Sequence, residues 1–174
     1  MSLTYKAVIY QKPETKGSLE SRPNPMPGKG QISVEITAAA VNPVDHKILT
    51  GIFPVPFPTI VGSDAAGIVH SVGSGVKDFK KGDRVYFQGQ LGNQDACTFQ
   101  QKCLLDANLV SHTPDNVSDA EASGIQLASM VCVVGLYHEE GAAMLRPLPW
   151  EEGGDKAGAD KAIVVLGGSS SVGQ

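Results

Sequence analysis

The sequence predicts a mainly β protein with some helix: a small antiparallel barrel followed by the first elements of an α/β unit. Three observations carry this. Short alternating segments recur at close spacing between Thr4 and His112, punctuated by glycine and proline. From Ser118 the pattern changes to a capped apolar helix. The stretch "AIVVLGGSSSVG" then passes from continuous apolar residues into glycine and serine, as a buried parallel strand does on entering a phosphate-cradling turn.

Taken in order, "TYKAVIY" alternates as a half-buried strand should, and "KPETKGSLESRPNPMPGKG" reads as a long surface connection rich in proline, glycine and charge. "QISVEITAAAV" is a second alternating strand. In "NPVDHKILTG" either Asn42 or Asp45 opens a short helix that Gly51 closes. Pro54, Pro56 and Pro58 forbid regular structure. "AAGIVHSVGSGV" and "KDFKKGDRVYF" each supply a strand with a turn, and "TFQQKCLLDANLVSH" adds one or two more, so the barrel ends near His112. Ser118 and Glu121 have the spacing of a capping box, with apolar residues following from Ile125 to Tyr137. A glycine-rich loop broken by Pro147 and Pro149 leads to a strand over Ala162–Leu166. Residues 1–124 are expected to form the barrel domain, and residues 125–174 a helix, a loop and the first strand and turn of a second domain.

A hydrophobic content of 41% is that of a globular protein, and a net charge of -4 without a basic run lacks the footprint of a nucleic-acid binder. No apolar stretch approaches the roughly 18 residues of a spanning helix, and "MSLTYKAVIY" is not a signal peptide. A cytoplasmic protein that binds neither nucleic acid nor membrane is expected. Cys97, Cys103 and Cys132 are an odd set without a short-spaced pair, expected as reduced thiols. On one extended strand Cys97 and Cys103 stand about 20 Å apart, too far to share a metal.

The segment "GGSSSVG" suits either a phosphate loop or a plain glycine-serine turn; Ser170 stands where a second glycine is usual, with Gly168 and Gly173 in register. The ordered set "AAAVNPVDHKILTG", "PFPTIVGSDAAGIVHSVGSGVKDFKKGDRVYF", "TFQQKCLLDANLVSHTPDNVSDAEAS" and "VVLGGSSSVGQ" resembles the medium-chain dehydrogenase/reductase superfamily. Within it the chain looks like the zinc-independent branch of quinone oxidoreductases and fungal trans-acting enoyl reductases. The resemblance implies a GroES-like barrel followed by a Rossmann domain that binds NADP(H). The chain is expected to stop inside the first strand-to-helix turn of that domain, before the residue about 20 positions on that reads the ribose 2′ position.

The resemblance also implies where to look for chemistry. The zinc-dependent branch has a cysteine where Asn42 stands and a histidine-glutamate pair where Ser63 and Asp64 stand. Asn and Ser are poor zinc ligands, so no zinc is expected. His46, His70, His112 and His138 are too scattered to replace them. Hydrogen-bond donors and a nicotinamide hydride must then act on an enone, quinone or enoyl, polyketide-like substrate. Asn42 either lines the nicotinamide cleft or organises the turn before Pro43. Asp45 either joins it in catalysis or caps the helix. Cofactor contacts are expected from Asn42, Cys132, Gly168, Ser169, Ser170, Ser171, Val172 and Gly173. Val131 or Cys132 occupies a place where the family often has a hydroxyl, and on an apolar helix Cys132 reads first as a core thiol. Tyr137 and Lys47 are further candidate proton donors, ranked below these. Gly67, Gly82 and Asp83 are assigned to the fold, the glycines as turn residues.

The long loop around Trp150 resembles insertions of the fungal group, which implies an enoyl-reductase relative, and Trp150 itself either shields a partner surface or anchors the loop; a polyketide synthase or a second copy of the chain is the expected partner. The competing expectation is a truncated barrel module that acts by binding, without catalysis.

Overall fold

The computed structural model describes residues 3–144, 146, 148, 150–156, 159 and 162–173. It divides into two compact units, Met1–Gln126 and Leu127–Gln174.

The first unit is built on strands. β1 (Thr4–Ile9) pairs antiparallel with β2 (Ser18–Pro23). β2 lies inside the segment expected to be a surface connection. Its sequence, "SLESRP", has no apolar face and buries none of its residues, so nothing in its pattern announces a strand. Pairing along the whole of β1 holds it in place. β3 (Gln31–Ala40), β4 (Asp64–Val72), β5 (Arg84–Gln88), β6 (Lys102–Asp106) and β7 (Val110–His112) form one antiparallel sheet in the order β6-β3-β4-β5-β7. The mainly β architecture and the end of the strands at His112 match expectation.

Alternation places Ile32, Val34, Val69, Val85, Phe87, Cys103 and Leu105 in one buried cluster. β1 closes over a second cluster of Tyr5, Ala7, Ile60 and Cys97. It is joined there by the bonds Val8 N–H to Phe99 O (3.0 Å) and Gln101 N–H to Lys6 O (2.8 Å). Gly67 is a mid-strand glycine rather than the turn glycine expected. A Cβ there would stand 2.2 Å from Glu35 O, so it marks a close backbone approach between β3 and β4, beside their register shifts.

Cys97 and Cys103 do not share an extended strand. The chain bends at Thr98 and Phe99 before β6 begins. The distance argument against a shared metal therefore lapses.

Two helices flank the sheet. α1 (Pro43–Leu49) has Asn42 as its N-cap and Pro43 at its first position. α2 (Asp119–Ala122) carries the expected capping box, the Ser118 and Glu121 side chains each bonding the other residue's backbone. Asp119 anchors α2 to the sheet: Thr37 Oγ1 donates to its Oδ2 at 2.6 Å, and Arg84 Nη2 to its Oδ1 at 2.6 Å.

Turns over Ser123–Ile125 separate α2 from α3 (Gln126–Tyr137). Counted through, Asp119–Tyr137 spans 19 residues at mean hydropathy 1.3, the length and composition of a membrane-crossing helix. This departs from the expectation that no stretch approaches that length. The bonds of Asp119 to Thr37 and Arg84 fix its first turn to the barrel sheet.

In the second unit α3 buries none of its residues. The strand expected over Ala162–Leu166 is not formed, and Val164 and Leu166 are 84% and 91% exposed. A parallel strand is held only by neighbours on its edges, and among the described residues this unit contains no strand to pair with. Pro147 and Pro149 of the expected loop lie outside the described residues.

Candidate functional site

The register of β3 with β4 runs to the pair Ala40 and Asp64. The residues just after β3 and just before β4 are thereby brought side by side. Asn42 precedes a proline, which biases it to extended backbone, and it adopts φ -114°, ψ 154° as the N-cap of α1. Its side-chain Nδ2 donates to Asp64 Oδ2 at 3.0 Å and to Ser63 Oγ at 3.3 Å. Residues 42, 63 and 64 are those that the resemblance aligns with zinc ligands elsewhere, and here Asn42 bonds to both of the others.

Asp45 stands three residues into α1, and both of its oxygens are committed. Oδ2 accepts the Asn42 N–H at 2.7 Å and Oδ1 the Gly62 N–H at 3.0 Å. Burial pushes its carboxyl above the usual value, outweighing the two backbone bonds that pull the other way. Gly62 has φ +97°, and a Cβ there would lie 2.4 Å from Thr98 Oγ1, so the position requires glycine. Ser63, Asp64 and Asp45 are 0%, 1% and 2% exposed. Asn42 is the partly exposed member of the cluster.

The structure thus unites Asn42 and Asp45. It adds Ser63 and Asp64, which sequence reasoning treated only as failed metal ligands, and Gly62, which it did not single out. The available signal was the Gly-Ser-Asp triplet that opens a strand paired to the strand ending before Asn42.

In the second unit the Cys132 thiol donates to Val172 O at 2.8 Å, which joins two of the expected cofactor residues. A cavity of about 330 Å³ is lined there by Ala128, Ser129, Cys132, Leu136, Tyr137 and Val172. Residues 167–173 form successive tight turns. Gly167 has φ +77°, and the Ser170 and Gly173 N–H groups donate to Gly167 O (2.9 Å) and Ser170 O (3.0 Å). A Cβ on Gly173 would meet Gly167 O at 2.3 Å.

The histidines stand apart. His70 lies within reach of Lys102 Nζ (3.3 Å) and Glu35 (3.9 Å) at a cavity of about 410 Å³. His112 stacks on Phe79 with ring centroids 4.5 Å apart. Among the described residues no three His, Cys, Asp or Glu side chains group as metal ligands.

Comparison with known proteins gives a consistent answer. Residues 28–139 match the alcohol dehydrogenase GroES-like domain. The chain is 32% identical to a chloroplastic quinone-oxidoreductase of Triphysaria versicolor, covering 87% of this chain and 44% of that protein. It is 33% identical to an NADPH-dependent alkenal/one oxidoreductase of Arabidopsis thaliana (82% and 35%) and 34% identical to a trans-enoyl reductase of Pyricularia oryzae (92% and 45%). The chain therefore spans less than half the length of these three relatives. Among solved structures, a putative zinc-dependent alcohol dehydrogenase from Rhizobium etli superposes with a TM-score of 0.76 at 30% identity, covering 98% of this chain and 48% of that one. A GroES-like match over most of the barrel, reductase relatives and a shared fold lead to one conclusion: the chain belongs to the medium-chain dehydrogenase/reductase superfamily.

Proposed function

We propose that the chain is the N-terminal part of an NADP(H)-dependent, zinc-independent oxidoreductase that reduces an enone, quinone or enoyl substrate. The observation that carries this reading is the Asn42–Ser63–Asp64 cluster, in which Asn42, at the position corresponding to a zinc-ligating cysteine, donates to the residues at the other ligand positions. Neither Asn42 nor Ser63 offers the thiolate or imidazole that a catalytic zinc takes.

The nicotinamide, when bound, supplies the hydride. The glycine-serine turn 168–173, whose small residues permit close approach, would hold the phosphates, with Cys132 beside Val172. Asn42 presents its amide to the ligand, while Asp45 fixes its backbone and, through Gly62, the entry to β4. Asp45 thus acts by positioning, since both of its oxygens are bound to backbone N–H groups.

The intact protein tests the reading through substrate-dependent NADPH oxidation with a simple enone and a simple quinone. Asn42→Ala is expected to lower kcat/KM by about ten- to a hundredfold, on the scale of one or two hydrogen bonds lost in the transition state. Activity unchanged in that variant, or stoichiometric zinc in the purified protein, overturns it.

A further inference from the structure

Strands β3, β4 and β6 bring Glu35, His70 and Lys102 together at the cavity of about 410 Å³, which Thr4, Asn24 and Gln101 also line. Glu35 and Lys102 stand opposite each other in the β3–β6 register, where opposite charges ordinarily attract. They do not pair. The Lys102 ammonium is 3.3 Å from His70 Nε2, and Glu35 faces the other ring nitrogen at 3.9 Å. An ammonium only donates, so Nε2 is the acceptor of that contact.

Lys102 is thus a half-buried cation that rests on a ring nitrogen, and among the described residues no carboxylate pairs with it. The Glu35 carboxylate is 60% exposed and keeps its hydration. A partly desolvated ammonium without a counter-charge is the costlier of the two. Gln101 adds a second donor. Its Oε1 accepts the Lys6 N–H at 2.8 Å, and since a backbone N–H can only donate, the amide oxygen is fixed there and the NH₂ is left for another partner.

We infer that this cavity binds a small molecule through an oxyanion, a carboxylate or phosphate group held by Lys102 Nζ and the Gln101 amide. Its volume lies in the range of small-molecule sites. The site is separate from the Asn42 cluster. Glu35 lies five residues before Ala40 on β3, and His70 six residues after Asp64 on β4, so about 17–20 Å of strand lies between them. The inference therefore stands or falls apart from the reductase reading.

The test uses the full chain with inorganic phosphate and, separately, succinate as probes, followed by NMR of the His70 ring and the Gln101 side-chain amide. Saturable shifts with a dissociation constant on the order of 1 mM are expected for at least one probe, and the tighter of the two identifies the head group. Lys102→Met should weaken binding about tenfold or more, the scale of one charge-assisted hydrogen bond, while Lys102→Arg retains it. Glu35→Gln removes a like charge and should strengthen binding about two- to fivefold; its exposed position keeps the test open if Lys102→Met fails to fold. No saturation by either probe, or undiminished binding by Lys102→Met, overturns the inference. Weaker binding by Glu35→Gln also overturns it, because Glu35 would then be the group that holds the ligand.

Discussion

The Asp45 carboxylate joins the start of one element to the entry of another, taking the Asn42 N–H on one oxygen and the Gly62 N–H, 17 residues on, on the other. Helix α1 and strand β4 are thereby held at a common point, with Asn42 at their junction. A backbone donor at each oxygen requires an acceptor-only side chain with two equivalent oxygens, which among neutral groups of the same size does not exist.

Asp45→Asn is expected to destabilise the protein at pH 7 by about 1–3 kcal/mol, since the amide can accept only one of the two N–H groups and sets its own NH₂ against the other. The pH dependence follows from the raised carboxyl pKa. Between the unfolded value and the folded one, the native state binds more protons than the unfolded state, so the Asp45 contribution to stability falls as pH rises through that window. Denaturant titrations on the acid side should show this slope in the unaltered protein and its absence in the variant.

Asp119 has the opposite sign. The Thr37 hydroxyl, followed by the Arg84 guanidinium, holds its carboxyl below the usual value, so its contribution is present above the unfolded pKa and is lost as pH falls through the folded one. Asp119→Ala is expected to cost about 1–2 kcal/mol, reduced by partial exposure of both partners. Amide exchange should speed up first over Asp119–Ala122, the helix this carboxylate anchors.

The three thiols should react in a fixed order. Burial pushes the Cys97 thiol up to about 11 and that of Cys103 further still, so at pH 8 neither forms the reactive thiolate. Cys132 is partly exposed. A thiol reagent at pH 8 should label Cys132 in the native protein, and Cys97 and Cys103 only as fast as the barrel unfolds. Early modification of Cys97, located by peptide mass spectrometry, would contradict its burial.

Gly67→Ala should cost about 1–3 kcal/mol, the range for overpacking, because its Cβ has no room beside Glu35 O and Val34 Cγ1. Gly82→Ala, at φ +95° but with open space around it, should cost about 1 kcal/mol through backbone strain alone. Thermal unfolding of the two variants separates steric from torsional need.

Most of the barrel was legible because alternation, turns and caps are written locally: β3, β4 and β5, α1 behind Asn42 and the Ser118–Glu121 box all stand where the pattern sets them. Strand β2 was hidden because it is held by pairing with β1 rather than by an apolar face. The apolar run Ala162–Leu166 misled because its pattern describes a strand's surroundings, and those are not supplied within its unit. Asn42 was found, but its amide partners were not. They lie 21 and 22 residues away, and only the β3–β4 register brings them together.

β1 is synthesised well before the segment it bonds to, Phe99 and Gln101, more than ninety residues downstream in the chain. Its hairpin with β2 can form as soon as both strands leave the ribosome, but the seam over Tyr5, Ala7 and Cys97 must wait for the segment after Ala96. Pairings of such separation are slow to form. During synthesis the inner face of β1 is therefore left uncovered until the chain is past residue 101, and it is in that interval, rather than in the finished barrel, that its apolar side chains are open to misassociation.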